Sequence, residues 1–136
     1  MFSYSRNVQY YETDKMAIVH HSNYIRLFEE ARCAYLSDVG VDFAYIESLG
    51  FMCPVVSVNC KYKKPLVFGD RLTVDVELKS FNGAKYEFEY KVYNQNSEIC
   101  AEGESLHCFT DNSMNPVILR HANPMLYNKF IEAFGL

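Results

Sequence analysis

No basic run in this 136-residue chain exceeds the short cluster Lys61, Lys63 and Lys64, and its 13 basic and 17 acidic residues leave a formal net charge of -4. That balance offers neither a nucleic-acid footprint nor a polybasic membrane anchor. No apolar stretch approaches the roughly 20 residues needed to span a bilayer, and the first residues lack a basic segment followed by an apolar one. Neither a membrane nor a secretory role is expected, and a reducing cytoplasm is the expected home. Cys33, Cys53, Cys60, Cys100 and Cys108 are odd in number and contain no C-x-x-C pair, so they read as small core hydrophobes and free thiols. His20, His21, Cys60, His107 and Cys108 have the donor chemistry for a metal, but no pair has zinc-site spacing and no metal is expected. Internal repeats, low-complexity tracts and linkers that would divide the chain are also missing.

What remains is the composition of an ordinary globular protein, 49% apolar and 22% charged, long enough for one domain over residues 1–136 with a real core. Small molecules or further copies of the chain are the expected partners.

The most informative segment runs from Glu12 to Arg32, where a carboxylate, Asp14, precedes a helix start. Ser22 is the candidate N-cap, and apolar or small residues recur at Tyr24, Phe28, Ala31, Tyr35 and Val39, which predicts a helix from about Ser22 to Val39 closed by Gly40. The first N–H groups of such a helix lack internal partners and carry the positive end of its dipole, so they can hold a developing oxyanion. A loop of the length between Asp14 and Ser22 can fold back and set the carboxylate on the other side of a bound carbonyl. Glu29 and Arg32, at i and i+3, read as an ion pair on the helix face.

Downstream the period changes to two. Leu72, Val74, Val76 and Leu78 alternate with Thr73, Asp75, Glu77 and Lys79; after Asn82-Gly83 the alternation resumes with Tyr86, Phe88, Tyr90 and Val92. This predicts a long antiparallel hairpin. A further strand is expected over about Ile99 to Thr110, where Ala101, Gly103 and Ser105 form a face on which something can pack closely. Val56, Val58, Cys60 and Tyr62 mark another strand, ended by Pro65 and Gly69-Asp70, and Tyr4, Val8 and Tyr10 mark a first one. A short helix is expected within Val41 to Leu49. Asn123-Pro124 starts a terminal helix, with Leu126, Tyr127, Phe130, Ile131 and Phe134 on its apolar side, expected to dock outside the sheet or on a neighbour. One helix covers one sheet face, so self-association through an edge strand is the expected outlet for the remaining aromatic surface.

Tyr11-Glu12-Thr13-Asp14, Val19-His20-His21-Ser22-Asn23-Tyr24, Phe28-Glu29-Glu30-Ala31-Arg32, Tyr62, Pro65 and Gly69-Asp70 together resemble the hotdog-fold acyl-CoA thioesterases of the 4-hydroxybenzoyl-CoA thioesterase-like family, over almost the whole chain. The resemblance implies an α+β hotdog fold, a five-stranded antiparallel sheet wrapped around a long central helix. It also implies hydrolysis of an acyl-CoA to free acid and CoA by a homotetramer, or at least a homodimer, without a cofactor. Asp14 falls where that family has its nucleophile or general base, and the backbone N–H of His21 would face the thioester oxygen. Val19, Ser22, Tyr24 and Phe28 would border the substrate, although core packing accounts for Tyr24 and Phe28 as well. Lys63, with Lys61 and Lys64, and Lys85 on the hairpin are the candidates for CoA phosphates. Relatives often carry glycine where this chain has Ala17, so a positive φ there would strain the loop.

Two rival readings are a non-catalytic acyl-CoA or lipid-binding hotdog protein and a hotdog enzyme acting on acyl-carrier-protein thioesters. Dehydratases of that fold resemble a different layout, with a catalytic His before the helix and an acid on it. Here the carboxylate precedes the helix.

Overall fold

The computed structural model describes residues 1–136. In chain order the strands are β1 (Phe2–Asn7), β2 (Phe51–Met52), β3 (Val55–Tyr62), β4 (Arg71–Phe81), β5 (Lys85–Tyr93), β6 (Ile99–Cys108) and β7 (Thr110–Asp111). The helices are α1 (Ser22–Asp38), α2 (Phe43–Ser48), α3 (Leu119–Ala122) and α4 (Pro124–Phe134), and Tyr10–Glu12 forms a 3-10 turn. Five strands pair antiparallel in the order β1-β4-β5-β6-β3, and α1 lies across one face: the hotdog arrangement. A small second sheet of β2 and β7 was not legible in the sequence.

Alternation decides which side chains meet α1. Leu72, Val74 and Val76 on β4 and Tyr86, Phe88, Tyr90 and Val92 on β5 are buried, while the intervening Glu and Lys residues face away. Gly103 on β6 marks the closest approach. A Cβ there would lie 2.8 Å from the Phe28 ring and fall onto the Asn59 carbonyl oxygen. Phe28 uses that space to stack on Tyr90, with ring centroids 4.3 Å apart. The small-residue face of β6 is therefore the seat of α1.

The helix ends where expected. Gly40 has a φ of 84°, and the Gly40 and Val41 N–H groups donate to the Ser37 and Leu36 carbonyls, the paired bonds of a Schellman motif. The start differs. His21, already helical in its dihedrals, holds the cap position, and Ser22 is the first helical residue. The His20 ring does the capping: its Nδ1 accepts the Ser22 N–H at 3.2 Å and pairs with the Ser22 hydroxyl at 2.8 Å.

Two further expectations need correction. The first strand stops at Asn7, and Tyr10 is exposed in the 3-10 turn. The terminal helix α4, capped by Asn123 as expected, docks on the same sheet face as α1 and not on the outer one. Phe130 meets Phe81 at 5.3 Å and Phe109 at 5.4 Å, and Phe134 meets Tyr35 of α1 at 5.1 Å. One chain thus covers more of its aromatic face than a single helix could.

All five cysteines are free thiols, and no three His, Cys, Asp or Glu side chains gather in an arrangement that could hold a metal. No helix is long and apolar enough to cross a membrane.

The contact at Gly103 yields a direct expectation. Gly103→Ala must displace either the Phe28 ring or the β3 backbone, which lowers stability by about 2–3 kcal/mol in urea unfolding. A change within a few tenths would mean that α1 is not seated there.

Candidate active site

Asp14 sits in a tight turn built by backbone hydrogen bonds. The Asp14 N–H donates to the Ile18 carbonyl and the Ala17 N–H to the Asp14 carbonyl, both at 2.9 Å, and Thr13 bridges Val19. Asp14 Oδ1 accepts the Met16 N–H at 2.8 Å, which orients the carboxylate and leaves Oδ2 free. Ala17 adopts a φ of 62°, the strained conformation that glycine would take freely. An L-residue there costs on the order of 1 kcal/mol.

The loop is tied to the sheet and helix at both ends. The Glu12 carbonyl accepts the His20 N–H at 2.8 Å and the Asn23 side-chain amide at 2.9 Å, and the Val19 N–H donates to Leu66 at 2.8 Å. Below it, Arg6 of β1 grips the Glu12 carboxylate with two bonds of 2.7 Å and reaches Glu30 of α1 through Nε at 2.7 Å. Tyr4 adds a 2.7 Å bond to Glu30. The Arg6 guanidinium holds Glu12 below its ordinary carboxylate value, against burial that pulls it up, and Glu12 in turn raises Arg6. Asn23 and Glu30 stand in the motifs quoted from the sequence without a role of their own, and Arg6 stands outside them. Asn23 carried a signal, a polar residue one position before the buried Tyr24; the Arg6 contacts join distant strands and left none.

Around the helix start the N–H groups of Ser22, Asn23 and Tyr24 are each taken, by His20 or His21. The His21 N–H has no acceptor in the chain. Its own carbonyl is held by the Tyr62 hydroxyl at 3.3 Å. Asp14, Val19, His21, Tyr24, Tyr62, Lys63 and Lys64 line one cavity of about 260 Å³. Asp14 and His21 thus border the same space. The Tyr24 ring lies edge-on to Tyr62 at 5.2 Å, and burial raises its phenol above the ordinary value.

Of the residues expected around the substrate, Val19 and Tyr24 border this cavity. Ser22 turns to His20, and Phe28 is fully enclosed between β6 and Tyr90. Lys63 stands at the rim, 3.6 Å from Glu102, and Lys64 pairs with Glu98. Lys85 pairs with Cys108 at the other end of β5, roughly 23 Å of strand away from Val92, which lies level with Tyr62. The expected Glu29 to Arg32 ion pair does not form: Arg32 turns inward and donates to Tyr90. Its place four residues after Phe28, on the apolar stripe, was the signal.

The hotdog sheet with its long helix places the chain in the thioesterase class by fold. The chain matches the model of the thioesterase-like superfamily over residues 8–126 and belongs to that family. It is 35% identical over 127 residues to the Bacillus subtilis protein named "Putative acyl-CoA thioesterase YneP", covering 93% of this chain and 92% of that one. It is 28% identical over 105 residues to the 1,4-dihydroxy-2-naphthoyl-CoA hydrolase of Thermosynechococcus vestitus, covering 76% and 72%. Among solved structures, the DHNA-CoA thioesterase of Staphylococcus aureus superposes with a TM-score of 0.91 at 25% identity, over 98% of this chain and 91% of the other.

The ion cluster under the loop has a pH signature. Because the folded pKa of Glu12 lies below the 4.5 of a free carboxyl, its contribution is complete above about pH 4.5 and is lost as pH falls through the folded value. Glu12→Gln should therefore cost about 2–4 kcal/mol at pH 7 by leaving Arg6 half-paired. The gap to the natural chain should close as pH falls below 4.5, read by urea unfolding across pH 3–7.

Proposed function

We propose that this protein hydrolyses acyl-CoA thioesters to a free acid and CoA, with Asp14 as general base and the His21 N–H as oxyanion donor. The observation that carries the reading is that Asp14 and His21, whose N–H has no partner in the chain, line one cavity. Asp14 takes a proton from a water whose oxygen bonds to the thioester carbon. The carbonyl oxygen gains the negative charge and is held at the helix start. Collapse breaks the C–S bond, and the departing thiolate takes up the proton. A thioester carbonyl is electrophilic enough that a carboxylate and an oriented N–H suffice without a Ser-His-Asp triad. No step needs a metal or organic cofactor.

Val19 and Tyr24 form the wall beside the thioester. Lys63 and Lys64 are the cations nearest the rim, and they bind the CoA phosphates in this reading. Their present partners, Glu102 and Glu98, are exposed; such pairs contribute little, so a phosphate can replace them. Lys85 reaches the same phosphates only from another copy. Homo-oligomerisation, as a dimer or a dimer of dimers, is supported by β3, an edge strand with Val55, Val56 and Tyr62 exposed. Free thiols favour a reducing cytoplasm as the place of work.

Thiol release from a panel of short, long and aromatic acyl-CoAs tests the reading. Asp14→Asn should lose about 10²–10⁴-fold in kcat with acyl-CoA binding retained. Equal turnover in both proteins removes Asp14 from the mechanism; binding without turnover in either supports a non-catalytic acyl-CoA protein, and turnover only of carrier-protein thioesters changes the donor. Replacing Lys63 and Lys64 together by Ala should raise KM roughly 3- to 10-fold with kcat unchanged, and added salt should shrink that difference.

A further inference from the structure

Arg32 is only 6% exposed and forms no salt bridge. Its Nη1 donates to the Tyr90 hydroxyl at 3.0 Å, while its Nε is buried without an acceptor. From Tyr90 the contacts continue to the Ser105 hydroxyl at 2.5 Å and on to His107 Nε2 at 2.6 Å. Burial, and then the charge of Arg32, push the His107 pKa down to about 3, so the imidazole is neutral. The hydrogen-bonded partners that the guanidinium reaches are thus uncharged, and no carboxylate lies within ion-pair distance of it. Enclosing a cation this way is unfavourable unless an anion joins it.

A cavity of about 100 Å³ lies beside it, lined by Ile25, Glu29, Arg32, Val55, Val58 and Ser105. These residues extend the tracks that build the Asp14 cavity: His21 and Tyr24 on α1 lead to Ile25, Glu29 and Arg32, and Tyr62 on β3 leads back to Val58 and Val55. The two cavities share no lining residue, but each is lined by residues of both α1 and β3. The helical rise puts the Arg32 Cα roughly 16 Å beyond that of His21. A long helical side chain leans toward the N-terminus, which brings the guanidinium to roughly 10 Å from the His21 N–H along the helix.

We propose that Arg32 anchors a carboxylate at the far end of the acyl chain, so that medium-length ω-carboxyacyl thioesters are a preferred substrate class. This rests on the hydrolase reading above. Ile25, Val55 and Val58 flank the methylene chain, and the guanidinium supplies the charge-assisted bonds that the distal carboxylate would lose on leaving water. Glu29 stands exposed at the rim as a competing carboxylate, close enough in sequence to pair with Arg32 but outside ion-pair distance here.

The test measures thiol release by the full chain from suberoyl-CoA against octanoyl-CoA, and sebacoyl-CoA against decanoyl-CoA, together with thermal unfolding of each protein. The natural chain should favour the carboxyl-ended member of a pair by roughly 10- to 100-fold in kcat/KM, the range of a charge-assisted hydrogen bond. Arg32→Met should abolish that preference and unfold at the same temperature or higher, Arg32→Lys should restore part of it, and Glu29→Gln should enlarge it. No preference in the natural chain, or an unchanged ratio in Arg32→Met, overturns the assignment. An unchanged ratio with a lower unfolding temperature makes Arg32 a structural counter-ion, to Glu29 if Glu29→Gln unfolds early as well and otherwise to a second copy. Hydrolysis of all four without discrimination overturns Arg32 alone. If none is cleaved the preferred substrate class proposed here falls, calorimetric binding of the same four decides Arg32 by the same ratio, and the hydrolase reading stands or falls separately on the wider acyl-CoA panel.

Discussion

The depth at which α1 lies on the sheet is set by one ring. Phe28 enters the space left by the missing side chain of Gly103 and stacks on Tyr90, and every functional position on the helix is measured from that contact. Toward the N-terminus it brings His21 beside Tyr62, so the hydroxyl of an edge-strand residue reaches the His21 carbonyl, and both residues border the cavity that Asp14 lines. One turn toward the C-terminus it carries Arg32 inward until its guanidinium meets the Tyr90 hydroxyl. A larger residue at 103 would lift both ends at once, which is why a position remote from the cavity governs its shape.

The loop that holds Asp14 owes its form to groups other than the Asp14 carboxylate. Its fixed points are the Glu12 carbonyl with two donors, the Val19 N–H on Leu66, and the Glu12 carboxylate on Arg6. Asp14 contributes a single side-chain bond, to the Met16 N–H. The carboxylate can therefore be altered with little effect on the backbone around it, and loss of turnover in such a variant reads as chemistry and not as collapse of the site. Ala17 is the one point where the loop works against itself, since its positive φ is unfavourable for any residue with a Cβ. The surrounding hydrogen bonds over-determine the turn and hold it there.

How much of this was legible in the sequence follows the range of the interactions. Period-two alternation in β4 and β5, Gly40 after α1 and Asn123-Pro124 before α4 are local signals, and the elements they announced are present within a residue or two. The small-residue face of β6 correctly marked a close approach without saying what approached. Errors arose where a local rule was overruled by something distant in space. Ser22 looked like an N-cap, but the His20 ring took that task; α4 looked like an outer helix, but Phe81, Phe109 and Tyr35 offered an aromatic seat on the inner face. Glu29 and Arg32 had the spacing of a surface pair, and the position of Arg32 within the apolar stripe outweighed that spacing. The grip of Arg6 on Glu12 and Glu30 joins a strand, a loop and a helix, so no single segment carried a trace of it.

A single chain builds the polar end of the site and leaves the apolar wall open. The Asp14 cavity, at about 260 Å³, falls below the roughly 300–1,000 Å³ typical of small-molecule sites, and a CoA thioester is larger than most such ligands. Beyond that cavity, the space between α1 and β3 is bounded by an edge strand whose outer side has no strand partner and whose Val55, Val56 and Tyr62 are exposed. Antiparallel pairing of β3 with its two-fold mate would continue the sheet and bring a second surface over that space, closing it without any change in the first chain. Asp14 and His21 already line one cavity before any such closure. Such pairing would enclose the space between α1 and β3, while Asp14 and His21 would still border their cavity from a single protomer.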